Sequence, residues 1–158
     1  MTATALVDVQ GGTVHASVEI AASPEKVFRA LTEPGELARW WGSPDEYQTH
    51  DWKVDLRPGG KWSCQARSAE GTGEVRGEYV AVEPPRLLEY TWEPSWEQYR
   101  QTIVRCTLEP VGGGTRLSLV HRGFAAGESA QGHADGWTRV LGWLAGRFAG
   151  SHPNASPT

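Results

Sequence analysis

Two histidines are the side chains in this sequence best suited to chemistry. His121 comes near the end of the last predicted strand, and His133 lies on the apolar face of the predicted C-terminal helix. A neutral imidazole beside an apolar cavity can orient a ligand's carbonyl group or act as a general base. Two histidines without a third partner do not specify a metal site or a catalytic relay, so ordinary core or rim histidines are the alternative. We predict ligand binding for this pair and assign no catalytic residue.

Aromatic side chains are the second group that could build a site. The sequence has eight tryptophans, and such large amphipathic rings either fill a core or line a pocket for an apolar ligand. Five aromatic residues lie on the predicted inward faces: Trp62, Tyr79, Tyr90, Trp92 and Trp137. The small residues Gly77, Ala66 and Ala145 opposite them favour a lined cavity over a solid core.

Two further pairs complete the predicted site. Leu141 and Leu144 share a helix face with Trp137, so we include them among the ligand-binding residues. Trp40 and Trp41 lie on a short helix that must fold over the sheet, and we predict them at the pocket entrance. The alternative is that both are structural.

Other chemistry has little support. The sequence contains no GxSxG, HExxH or P-loop pattern, so no hydrolase elbow, zinc site or phosphate cradle is predicted. Cys64 and Cys106 lack metal-binding spacing and are interpreted as buried thiols. The strand residues Glu74, Glu78 and Glu89 are expected on outward, solvated positions. We therefore predict no metal and no cofactor, and no residue pattern identifies an enzyme.

The C-terminal helix must position most of these side chains. Between residues 130 and 149, apolar residues recur at helical spacing, so one face of the helix must be covered. That face carries His133, Trp137, Val140, Leu141, Leu144, Ala145 and Phe148.

The preceding chain predicts an antiparallel sheet. A first strand (13–20) is followed by two short helices, one capped by Ser23 and one after Pro34. Six alternating stretches follow, at residues 49–56, 61–68, 74–82, 86–92, 99–108 and 115–121. In the last hairpin, Val104, Cys106 and Leu108 are expected to face Leu117, Leu119 and His121. The fold class is thus α+β, with a seven-stranded curved sheet around the long helix.

Length and charge limit the class of protein. A chain of 158 residues predicts one domain (1–158), with an ordered core at about 13–149 and polar tails at 1–11 and 150–158. The net charge of -4 with interspersed signs argues against nucleic acid or an anionic membrane as partner. No stretch reaches membrane-spanning length and no signal-like leader is seen, so we expect a soluble, cytoplasmic protein.

The order of elements resembles the helix-grip fold of the START-like (SRPBCC) superfamily, in particular the bacterial homologues of the Hsp90 ATPase activator (AHSA1-like). The resemblance covers about residues 13–148. The matching pieces are SPEKVFRALT from Ser23, LARWWG from Leu37, VDLRPGGKW from Val54, GEYVAVEPPRLLEYTW from Gly77, GTRL from Gly114, and Gly136-Trp137 with Leu141 and Leu144. Gly136 is interpreted as a site of close helix packing.

This resemblance implies a hydrophobic cavity between the long helix and the sheet. We expect a small, largely apolar molecule to bind there. Two alternatives stay open: a protein-interaction module that binds a chaperone, and a cyclase- or hydrolase-type enzyme that uses the same cavity. The sequence leaves a homodimer open as well.

Overall fold

A nine-stranded antiparallel sheet packed against a long C-terminal helix makes up the protein. The computed structural model describes residues 5–124 and 130–149. The strands are β1 (Leu6–Gln10), β2 (Thr13–Ile20), β3 (Gly42–Ser43), β4 (Tyr47–Val54), β5 (Lys61–Ser68), β6 (Gly71–Glu83), β7 (Leu87–Pro94), β8 (Thr102–Val111) and β9 (Gly114–Arg122). Their order across the sheet is β1-β2-β9-β8-β7-β6-β5-β4-β3. The α+β class is confirmed.

The predicted count of seven strands is wrong, because strands β1 and β3 were missed. The segment assigned to a polar tail contains β1, which pairs with β2 from Leu6↔Ser17 to Gln10↔Thr13. Gly11 and Gly12 join them with φ of +58° and +79°, the conformation that a two-residue hairpin turn requires. This glycine pair was the signal for an additional strand. Strand β3 is only two residues long and has no periodicity to detect.

The three predicted α-helices are confirmed. Helix α1 (Pro24–Thr32) begins where Ser23 Oγ accepts a hydrogen bond from the Lys26 backbone N–H at 3.3 Å. Helix α2 (Pro34–Trp40) also begins with proline, whose fixed φ suits the first helical position. A short 3₁₀ turn at Ser95–Glu97, between β7 and β8, was not predicted.

The predicted facing of strands β8 and β9 is confirmed residue by residue. Val104 pairs with His121, Cys106 with Leu119, and Leu108 with Leu117. All six side chains are buried. The alternation of apolar and polar residues was therefore sufficient to place His121 on the inner face of the sheet.

Helix α3 (Ala130–Ala149) covers that inner face and has the bounds expected from its periodicity. Its apolar stripe joins the inner face of the sheet in one core cluster. The buried helix residues are Ala130, Ala134, Trp137, Val140, Leu141, Leu144, Ala145 and Phe148. Within the described part of the chain, no helix is both long and apolar enough to cross a membrane. The predicted tail at 150–158 lies outside the described residues.

Candidate functional site

A cavity of about 680 Å³ lies between the N-terminal half of α3 and strands β4 to β7. Helix α3 contributes Gly132, His133, Gly136, Trp137, Arg139 and Val140 to its lining. The opposite wall consists of Trp41, Tyr47, Thr49, Trp52, Cys64, Ala66, Val75 and Trp92. The β5–β6 hairpin and the 3₁₀ turn form the rim, where Trp96 is 53% exposed. The cavity therefore reaches from the core to the surface.

Tryptophan rings form a continuous layer along the inner wall. The Trp41 ring centroid lies 5.6 Å from that of Trp52, 6.0 Å from that of Trp92 and 5.9 Å from that of Trp137. Trp41 Nε1 donates to Tyr47 Oη at 3.2 Å and Trp52 Nε1 donates to Thr49 Oγ1 at 2.9 Å. With these N–H groups engaged by the protein, the wall presents mainly apolar ring surface to the cavity.

His121 is fully buried behind this wall, and both of its ring nitrogens are hydrogen-bonded. Trp137 Nε1 donates to His121 Nδ1 at 3.0 Å. The proton of the neutral ring therefore sits on Nε2, which contacts Thr102 Oγ1 at 2.6 Å. Burial, with a smaller contribution from nearby His133, lowers the pKa of His121 to about 3. His121 thus stays neutral and ties α3 to β8 and β9.

His133 lies in the cavity lining and pairs with a carboxylate. His133 Nε2 lies 3.0 Å from Glu97 Oε2, and the side chains are 18% and 33% exposed. The ring of Phe124 packs against His133 with centroids 4.8 Å apart, and the His121 ring lies at 5.2 Å. The pair joins the first turn of α3 to the 3₁₀ turn at the rim. It is a polar pair in a mainly apolar cavity.

The remaining polar lining groups lie toward the rim. Arg139 Nε contacts Glu46 Oε1 at 3.5 Å, and Arg67 and Glu70 lie on the β5–β6 hairpin. Deeper in the cavity, burial raises the pKa of the Cys64 thiol to about 12. Cys64 is therefore protonated at neutral pH and is no nucleophile there. Among the described residues, no group of three or more His, Cys, Asp or Glu side chains could hold a metal ion.

The sheet, the long helix and the cavity between them belong to a chain segment that matches a known protein family. Residues 21–149 match the family model of the activator of Hsp90 ATPase homolog 1-like protein. The chain belongs to this family. A comparison with curated proteins gives no match.

Solved structures of similar proteins support the same assignment. An AHSA1 protein from Silicibacter pomeroyi is 29% identical with a TM-score of 0.75, over 89% of this chain and 99% of that chain. A protein from Chromobacterium violaceum is 25% identical with a TM-score of 0.78, over 87% of this chain and 97% of that one. A protein from Rhodobacter sphaeroides, 21% identical with a TM-score of 0.80 over 94% and 99% of the two chains, has the same fold. The AHSA1-like, START-like resemblance is thus confirmed.

The predicted site residues fall into three locations in this AHSA1-family chain. Trp41, Trp92, His133 and Trp137 line the large cavity. Trp62, Tyr79 and Tyr90 instead line a second cavity of about 20 Å³, which shares Trp41, Trp52 and Trp92 with the first. Trp40, Leu141 and Leu144 are buried in the core with His121, and Trp40 Nε1 donates to the Ala30 carbonyl at 2.8 Å.

The interpretations of two glycines, Gly77 and Gly136, are corrected. A Cβ at Gly77 would lie 2.0 Å from the Thr91 carbonyl oxygen and 2.4 Å from Trp62 Nε1. Gly77 therefore leaves no empty space, because the Trp62 ring already occupies it. A Cβ at Gly136 would meet no atom within 4 Å, so Gly136 is a site of open space and not of close packing. Of the other small residues, Ala66 lines the large cavity and Ala145 is buried in the core.

The expectation of a solvated Glu89 is also wrong. Its alternation with Tyr90 places it on the outer face of β7, as predicted, yet the residue is only 8% exposed. The Glu89 carboxylate lies 3.4 Å from Arg105 and 3.7 Å from Arg122. The two arginines cover the carboxylate and compensate its charge.

Several lining residues were not found from the sequence. Thr49 and Trp52 both line the cavity. In a regular strand, residues three positions apart point to opposite faces, so alternation would have placed only one of them there. Asp51, with φ of +54°, lies where the β4–β5 register shifts, so the simple alternation of β4 is broken. Glu97 and Trp96 lie on the unpredicted 3₁₀ turn. Local sequence alternation carried no signal for either feature.

Proposed function

We propose that this AHSA1-family protein binds a small, largely apolar molecule in the cavity between α3 and the sheet. The observation that carries the proposal is a space of about 680 Å³ walled by Trp41, Trp52, Trp92 and Trp137. Pockets for drug-sized ligands have volumes of roughly 300–1,000 Å³ and mostly apolar walls. We further propose that the protein works as one domain in the cytoplasm.

The distribution of polar groups supports a ligand with an apolar body and a polar end. The tryptophan layer lies deep, whereas the His133–Glu97 and Arg139–Glu46 pairs lie toward the rim. Burying about 200 Å² of apolar ligand surface contributes about 5 kcal/mol before the costs of association. The polar end would then orient the ligand at the rim.

The two alternatives differ in their support. A chaperone-binding module would use exposed apolar surface, but the large apolar side chains that are exposed among the described residues lie on separate segments: Leu6, Leu56, Val80 and Trp96. This distribution of exposed apolar side chains does not favour that alternative. An enzyme would need a polar pair inside the cavity, and His133 with Glu97 meets this requirement.

A cavity-filling substitution tests the binding proposal. Gly136→Leu places a side chain in open space on the cavity wall and replaces a helical glycine, so stability should hold or rise by about 1 kcal/mol. The apolar fluorophore N-phenyl-1-naphthylamine should brighten and bind saturably to the natural protein. We expect Gly136→Leu to weaken its binding at least tenfold, as measured by fluorescence titration.

Gly146→Leu is the matched control, because Gly146 lies on the same helix, is exposed, and would also have no atom within 4 Å of an added Cβ. This variant should bind the fluorophore with the same Kd as the natural protein. Equal affinity in all three proteins, or no saturable binding to the natural protein, would contradict the proposal. Urea unfolding of each variant separates lost binding from lost folding.

A further inference from the structure

We propose that His133 and Glu97 form a proton-transfer site acting on a carbonyl compound bound in the cavity, with His133 as general base and Glu97 as its positioning residue. This inference rests on the proposed function, since the compound must first enter the cavity. Its substrate class is an apolar molecule with a ketone or similar carbonyl group next to a C–H bond.

The geometry of the pair determines which nitrogen is basic. His133 Nε2 lies 3.0 Å and 3.3 Å from the two oxygens of Glu97. A carboxylate only accepts, so Nε2 carries the proton and the lone pair of the neutral ring lies on Nδ1. A base whose second nitrogen is held by a carboxylate has the orientation that general-base catalysis uses. Both residues line the cavity.

The turn that carries Glu97 is itself held in an unusual conformation. Gln98 and Tyr99, the two residues after Glu97, have φ of +54° and +57°, although neither is glycine. Such backbone is strained for a residue with a Cβ and persists only where surrounding contacts enforce it. Two contacts with Glu74 do so: its backbone N–H donates to Ser95 Oγ at 2.9 Å, and Tyr99 Oη donates to its carboxylate at 2.8 Å. The strained turn thereby presents Glu97 to His133.

Two neighbouring groups, His121 and Cys64, are less suited than His133 to act as the base. His121, whose ring lies 5.2 Å away, has both nitrogens bonded inside the protein and a pKa lowered to about 3 by burial. Cys64 lines the same cavity, but burial raises the pKa of its thiol to about 12. Neither group is suited to accept a substrate proton at neutral pH.

The proposed step balances without a cofactor. The C–H bond next to the carbonyl breaks, and its proton moves to His133 Nδ1. The electron pair of that bond forms a C=C bond, and the carbonyl π pair moves to oxygen, giving an enolate. Return of the proton to the same carbon exchanges its hydrogen. In a substrate that also has a C=C bond conjugated with the enolate, return of the proton to the far end of that bond shifts the position of the double bond. Arg67 and Arg139 supply positive charge in the same lining.

Hydrogen exchange of 2-tetralone in D₂O tests this step. This bicyclic ketone is apolar and has acidic protons beside its carbonyl, and proton NMR measures their replacement by deuterium. We expect the natural protein to accelerate exchange about 100-fold over buffer, in the range of general-base catalysis. His133→Ala should remove the acceleration, and added imidazole should restore part of it. Glu97→Gln should lower the rate about tenfold while the Kd for 2-tetralone, measured by tryptophan fluorescence, stays unchanged.

His50 offers a matched control, because His50 Nδ1 lies 3.3 Å from Asp51 Oδ2 outside the cavity lining. The His50→Ala variant should accelerate hydrogen exchange of 2-tetralone as much as the natural protein does. Binding of 2-tetralone without accelerated exchange would overturn the proton-transfer site and leave the binding function intact. Absence of 2-tetralone binding would overturn the inference, and with retained binding of N-phenyl-1-naphthylamine the binding function would still stand. Unchanged exchange in His133→Ala, or imidazole without effect on it, would also overturn the inference.

Discussion

His121 and His133 lie with ring centroids 5.2 Å apart, yet their surroundings are opposite. The sealed region around His121 bonds both ring nitrogens to protein groups and excludes water, whereas the open region around His133 faces a cavity that reaches the surface. Gly77 and Gly136 show the same contrast, since one is enclosed by neighbouring atoms and the other has empty space beside it. Sealed polar groups stabilise the fold, and open ones are available to a ligand.

The largest expected effect is on the stability of the sealed region. His121→Leu removes the acceptor of the Trp137 N–H and the partner of the Thr102 hydroxyl, and should lower the free energy of unfolding by about 4 kcal/mol. His133→Leu, in the open region, should change the free energy of unfolding by less than about 1 kcal/mol, because its hydrogen bond to Glu97 is partly exposed. Urea denaturation measures both. Equal losses would remove the distinction between the two histidines.

Substitutions at Gly77 and Gly136 give a second comparison of the stability of the sealed and open regions. Gly77→Ala forces a Cβ to within 2.0 Å of the Thr91 carbonyl oxygen, so the strands must shift and the free energy of unfolding should fall by about 3 kcal/mol. In Gly136→Ala the added Cβ meets no atom within 4 Å, so the higher helix propensity of alanine should raise the free energy of unfolding by up to about 1 kcal/mol. Thermal unfolding of the two variants should therefore shift in opposite directions. A stabilising Gly77→Ala would show that the site is not enclosed.

The pH dependence of stability is the smallest of the three effects. The pKa of His121 is about 3 in the folded protein and about 6.5 when unfolded. The unfolded chain therefore binds the extra proton first, so stability is complete above pH 6.5 and decreases as the pH falls toward 3. Between pH 6.5 and 5, where few carboxylates titrate, the loss should reach about 2 kcal/mol in urea titrations.

His121→Asn is the control for this pH dependence, since asparagine retains polar atoms but does not titrate. Between pH 6.5 and 5, the free energy of unfolding of His121→Asn should fall by about 2 kcal/mol less than that of the natural protein. An identical pH profile in the two proteins would place the titrating group elsewhere.

Much of the sealed region could be predicted from the sequence, because it follows from regular alternation. The periodicity of residues 130–149 predicted the bounds of α3, and strand alternation predicted the pairing of Val104 with His121. Alternation indicates which face a side chain occupies, but not whether a neighbour fills the space beside it. For that reason Gly77 was interpreted as a source of space, whereas the Trp62 ring covers it.

The open region was less predictable, because irregular backbone builds it. The positive φ of Asp51 brings Trp52 to the cavity, and the turn before Gln98 brings Glu97 to His133. Non-glycine residues in the left-handed region leave little trace in composition or periodicity. The tryptophan count was compatible with a filled core or a lined pocket, and only tertiary contacts identify which rings line the cavity.

Strand β1 has a consequence for shortening the chain. Its five residues occupy the free side of β2, so the backbone groups of β2 are bonded to neighbours on both sides. A protein trimmed to start at Thr13 would leave a row of N–H and C=O groups on β2 without partners, in a strand where Val14, Val18 and Ile20 are apolar. Strand β1 is itself an edge of the sheet but has five residues, whereas β2 has eight. Removing β1 therefore lengthens the exposed edge, and the trimmed protein should self-associate more than the full chain.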